Sequence, residues 1–148
     1  MATGVRAAEH DLPPVPKALL EAVGEARREL TAAASGRVLV VPEAGAESAL
    51  ESEQASGARY DTILSFLCTP GVADLEGFAA ALEQVLADEG WIFMVELAAA
   101  GTDVVSVVRS RGLFVTDLYR REAPSAPAGW RRYVVLKARR ESPRRADQ

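Results

Sequence analysis

Two short apolar runs, residues 61–67 and 91–97, flank a stretch in which Leu75, Phe78, Ala79, Leu82, Val85 and Leu86 recur at helical spacing. A continuous apolar run of that length, bounded by turn residues, reads as a strand buried on both faces. Strand, amphipathic helix and strand make a parallel βαβ unit, because a parallel pair needs a crossover that carries the chain back to the same end of the sheet. Such crossovers are right-handed, and their helices must cover the sheet. An α/β fold with a mostly parallel sheet is therefore the expected class.

The rest of the chain extends this unit on both sides. Residues 1–13 read as a flexible tail; Pro13, Pro14 and Pro16 lead into a helix over 16–34, whose Leu19, Ala22, Val23, Ala26, Leu30 and Ala33 share a face. Arg37, Val38, Leu39, Val40 and Val41 form a short strand stopped by Pro42. The seventeen residues 43–59 have room for a short polar helix over 47–55. Thr69, Pro70 and Gly71 turn the chain after the second strand, and Asp74 and Glu76 suit the positive end of a helix over 74–87 that Gly90 closes. A further helix is predicted over 102–110, then strands over 113–121 and 130–139 joined as an antiparallel hairpin by the Pro/Ala loop 122–129. Trp91 and Trp130 would seal the core or its rim. Residues 141–148 read as a disordered basic tail, which leaves 14–140 as one α/β domain.

Composition narrows the chemistry. With 148 residues, one core suffices without disulfide or metal. The absence of a long apolar span or a signal-like start favours a cytoplasmic protein with no membrane attachment. The chain has one cysteine, Cys68, and one histidine, His10, so it can assemble neither an intrachain disulfide nor a cysteine/histidine metal site, and no catalytic residue is nominated. The net charge of −4 conceals an asymmetry. Residues 1–100 carry 6 basic and 16 acidic side chains, residues 101–148 carry 11 and 5. Arg120, Arg121, Arg131 and Arg132 are the candidate basic patch for an acidic protein or nucleic acid. The plainer reading is a charged sheet edge that resists aggregation.

Over 59–140 the pattern resembles class I S-adenosylmethionine-dependent methyltransferases. Tyr60 and Asp61 stand where that family commonly has an aromatic residue and an aspartate before its fourth strand. Residues 85–92 resemble its helix end, turn and fifth strand, with Asp88, Glu89 and Gly90 departing from the usual Pro-Gly-Gly. Arg111, Gly112, Leu113 and Phe114 resemble its Ala-Gly-Phe entry to the sixth strand. The resemblance implies a Rossmann-like fold and S-adenosylmethionine as cofactor, approached by Pro42, Glu43, Ala44 and Gly45 after the first strand and by Ser65, Phe66, Leu67 and Cys68 after the fourth. The glycine-rich cofactor turn of the family is not reproduced: Val40 occupies its acidic position, Pro42 removes an amide, and Gly45 is the lone glycine. Glu43 and Glu47 are available to a cationic group but are expected in solvent, and Cys68 is expected as buried packing.

The family's sheet order is 3-2-1-4-5-7-6. Seventeen residues between the first and second apolar strands allow one crossover, so two strands are missing and the expected remainder is 1-4-5-7-6, five strands with the last antiparallel. Three later helices would then share one face and helix 16–34 the other. The reversal of strand direction that makes a ligand crevice in open α/β sheets is lost. Strand 37–41, with Val38, Leu39, Val40 and Val41, becomes an edge open to a protein partner or second copy, unless a helix or the N-terminal tail covers it. Three functions follow: a shortened, non-catalytic methyltransferase-like subunit with structural or regulatory work and little or no hold on S-adenosylmethionine; a methyltransferase whose cofactor site a dimer mate or partner chain completes; or a binding module using the C-terminal arginines.

Overall fold

The computed structural model describes residues 16–42, 45–68 and 72–140, and of residues 99–102 the backbone only. The expected tails 1–13 and 141–148, the candidates Glu43 and Ala44, and the turn at Thr69, Pro70 and Gly71 lie outside the described residues.

Helix α1 (Lys17–Ala33) buries Leu19, Val23, Ala26 and Leu30, one stripe at the helical repeat. Thr62 fastens its exit: the hydroxyl donates to the Ser35 carbonyl at 2.8 Å and accepts from the Ser35 amide at 3.2 Å. Strand β1 (Val38–Val41) is followed by α2 (Ala46–Ser56), β2 (Tyr60–Phe66), α3 (Leu75–Val85), β3 (Leu86–Leu97), α4 (Ala98–Ser110), β4 (Leu113–Glu122) and β5 (Arg132–Arg140). A single 3-10 turn at Ala128–Trp130 precedes β5. The five strands form one sheet in the order β1-β2-β3-β5-β4. β1 to β3 pair in parallel, and β5 runs antiparallel to both β3 and β4. This is the expected 1-4-5-7-6 remainder.

The two faces carry separate cores. Leu64, Phe66, Phe93, Val95, Tyr133 and Val135 pack under α1. On the other face Ile63, Ile92, Met94, Leu136 and Ala138 meet Leu50 of α2, Phe78 and Leu82 of α3, and Val104 and Val108 of α4. Strand alternation produces both sets from the same sequence runs.

Three boundaries differ from expectation. Gly90 does not close α3; the helix stops at Val85, Leu86 pairs with Tyr60, and the register then shifts so that Trp91 pairs with Thr62. Gly90 serves this irregularity by close approach, since a Cβ there would lie 2.5 Å from Leu86 Cδ1. α4 starts ahead of Gly101, because Ala98, Ala99 and Ala100 favour helix strongly enough to carry it through the glycine. β5 starts at Arg132, with Trp130 in the 3-10 turn and packed against the α1-side core.

Candidate functional site

The C-terminal ends of β1, β2 and β3 lie together, the place where an open parallel sheet presents its loops to a ligand. Here these ends are filled. Val41, Ser65, Phe66, Leu67 and Cys68 are all buried. The Cys68 thiol lies 3.7 Å from the carbonyl oxygens of both Val41 and Pro42, and 3.8 Å from that of Phe66, so it packs between the ends of β1 and β2. Leu67 has φ 56°, in the left-handed region that leucine seldom adopts, and its amide donates to the Val95 carbonyl at 2.8 Å. That twist takes the chain out of β2 and turns the leucine side chain into the α1-side core. Ser65 is fully buried on the opposite face, and its hydroxyl has no partner among the described residues.

Glu96, also wholly buried, shares this face and this end of the sheet. The sequence flags it only as an acidic residue near the close of an apolar run. Asp61, the other carboxylate at this strand pair, is at the opposite end, where it accepts the Arg37 amide at 2.8 Å. About 3.3 Å per residue along β3 separates the two by several residues, as the parallel register requires.

The loop after β1 performs structural tasks. Gly45 has φ 76° and is the N-cap of α2, with nothing within 4 Å of a Cβ built on it. Its glycine is required by backbone conformation rather than by close contact. Glu47, expected in solvent, turns back to the start of α3 and accepts from the Asp74 amide at 3.2 Å and the Ala73 amide at 3.4 Å. Asp74 caps the same helix, accepting from the Gly77 amide at 3.1 Å. Both carboxylates occupy the positive end of α3.

The four candidate arginines do not share one surface. Arg121 points to the α1 side and pairs with Glu29 at 3.2 Å; burial would lower its pKa, but Glu29 raises it further. Arg120 points to the other face, beside α4. The Arg131 side chain donates to the Ala126 carbonyl at 3.2 Å, and exposed Arg132 lies near Ala98 and Gly129. Other basic side chains lie over aromatic rings, among them Arg37 over Tyr60 and Arg139 over Trp91. The Tyr60 hydroxyl donates to Glu53 at 2.7 Å, a bond that holds its pKa above the usual 10.0.

Among the described residues no group of three or more His, Cys, Asp or Glu side chains is placed to hold a metal ion, and no helix is long and apolar enough to cross a membrane. The edge candidates of β1 divide by face. Leu39 and Val41 pack against the three-helix core, whereas Val38 and Val40 are 38% and 48% exposed on the α1 side. α1 packs mainly over β2 and β3, and this side of β1 stays part-exposed.

No family model matches the sequence, and no match was found among curated proteins. Solved structures do match. M1.HpyAVI is similar over 70% of this chain and 55% of its own, at 12% identity and TM-score 0.51; its complex with SAM gives 11% and 0.50 over the same shares. The N-methyltransferase NodS from Bradyrhizobium japonicum WM9, in complex with S-adenosyl-L-homocysteine, matches 57% of this chain and 48% of its own at 11% identity and TM-score 0.47. The chain thus spans about half the length of these solved structures. The strand order β1-β2-β3-β5-β4 and the similarity to M1.HpyAVI together give the chain a shortened Rossmann-like fold of the class I S-adenosylmethionine-dependent methyltransferase type.

Proposed function

We propose that this is a methyltransferase-like subunit with a structural or regulatory role, which does not by itself hold S-adenosylmethionine. The observation that carries this reading is that β1 is the last strand on its side of the sheet among the described residues. In the full fold, two further strands beyond β1 supply the carboxylate for the ribose and the wall beside the adenine. The packed ends of β1 and β2, with Cys68 between them, add to it. Calorimetric titration of the full chain with S-adenosylhomocysteine tests the proposal. The expected result is no heat of binding up to millimolar ligand; one-to-one binding in the micromolar range overturns it.

The part-exposed apolar side of β1 favours one refinement, a partner at that edge, and the partner we propose is a second copy of this chain. An antiparallel two-fold centred on Leu39 places Val38 of each copy opposite Val40 of the other, on the same face, and offers hydrogen-bond partners to the open edge. Leu20, 46% exposed, adds to the same apolar margin. It lies two turns before Arg27, which sits over the Phe66 ring on this flank of α1. Sedimentation equilibrium at micromolar concentration is expected to give a dimer; a monomer at those concentrations overturns the refinement. If the dimer also bound S-adenosylhomocysteine, the reading would change to a methyltransferase completed across the two-fold. A nucleic-acid role finds the candidate arginines spread over both faces. Binding of that kind would have to weaken steeply with salt.

A further inference from the structure

A cavity of about 350 Å³ opens between α4 and the edge strand β4, on the far side of the sheet from β1. Among the described residues its lining is Ala98, Val105, Ser106 and Arg109 from α4, Leu118 and Arg120 from β4, and Val134 from β5. The register explains how these meet. Arg120 pairs with Val134 and Leu118 with Leu136, so both β4 side chains stand on the three-helix face at the margin of α4. α4 descends antiparallel to β4, and the eleven steps from Ala98 to Arg109 cover roughly 16 Å at about 1.5 Å each. Arg120 therefore flanks the end near Ala98, and Arg109 the other end.

The chemistry of the lining is specific. Val105 and Val134 are buried and form an apolar floor, while Leu118 is 46% exposed with its side chain on the rim. The arginines are the notable part. Arg111, Arg121 and Arg140 each pair with a glutamate of this chain. Arg109 and Arg120, by contrast, have no acidic or hydrogen-bonding partner among the described residues. Two cations beside an apolar floor, with the Ser106 hydroxyl available as donor or acceptor, fit a ligand pairing an apolar body with a negative group. The volume falls at the lower end of the range for small-molecule sites, about 300–1,000 Å³.

We propose that this cavity binds a small organic anion with an apolar body, such as an aliphatic carboxylate, its negative group held by Arg109 or Arg120 and its chain on Val105, Leu118 and Val134. The site is independent of the β1 edge and of any hold on S-adenosylmethionine, so it stands or falls separately from the function proposed above.

The test uses the full chain labelled with nitrogen-15 and titrated with sodium octanoate, with octan-1-ol as the uncharged probe of equal length. Saturable amide shifts are expected in α4 around Val105 to Arg109 and in β4 around Leu118 and Arg120. Octan-1-ol should bind at least ten-fold more weakly, and the double substitution Arg109→Gln, Arg120→Gln should weaken octanoate at least ten-fold while leaving the spectrum otherwise folded. Both side chains are exposed, so the variant retains the core. Equal binding of the alcohol and the acid, shifts confined to residues outside the cavity, or no saturation overturns the proposal.

Discussion

The Arg140 side chain donates to the carbonyls of Glu83 and Leu86 and to the Glu83 carboxylate, closing the last turn of α3 from the end of β5. In sequence it reads as one more member of a basic sheet end; its partner becomes visible only when β5 lies beside β3. Burial alone would raise the pKa of Glu83, but Arg140 and Arg111 outweigh it and hold the carboxyl below the usual 4.5. A depressed carboxylate contributes stability above its unfolded pKa and loses it as pH falls through the folded value. Glu83→Gln is therefore expected to cost about 1–2 kcal/mol at neutral pH and to flatten the loss of stability below about pH 4.5, read as urea midpoints across that range. An unchanged acid limb would show that Glu83 is not the linked group. Cys68 calls for a different measurement: buried between β1 and β2, it should stay unreactive to a thiol reagent until the chain unfolds. Rapid labelling of the native protein would contradict its packing role.

At the level of elements, periodicity made the helices and strands legible, and boundaries failed where local conformation departed from it. The stripe Leu19, Val23, Ala26 and Leu30 reads directly as a helix face and is the buried stripe of α1. Gly90 misleads because its role is close packing against Leu86 at a register shift, which periodicity does not encode. Gly45 shows a related ambiguity. A family resemblance reads a glycine there as part of a cofactor turn, whereas the backbone uses its positive φ to start α2. Gly45→Ala is expected to destabilise the domain by about 1–2 kcal/mol, the cost of a left-handed alanine, measured by chemical denaturation. A neutral effect would mean that the α2 start relaxes to another conformation.

For the whole molecule, β1 is the edge of the sheet among the described residues and is apolar on a single side, with Val38 and Val40 part-exposed there while Leu39 and Val41 are covered by the three-helix side. Val40→Lys is expected to abolish the proposed dimer while preserving the circular dichroism spectrum, because that side chain faces solvent in the single chain. A dimer that survives the substitution would place the interface elsewhere. The sequence by itself determined the elements, which rest on local apolar spacing, and the pairing of β1 with β2, which rests on crossover length; the place of β5 between β3 and β4 was legible only through the family resemblance. Tertiary structure alone decided how particular side chains are used. It brought Glu83 to Arg140, closed Cys68 between two strand ends, and opened the cavity between α4 and β4. Those outcomes depend on contacts between residues far apart in the chain, whose distances are set by sheet register and helix packing rather than by any local pattern.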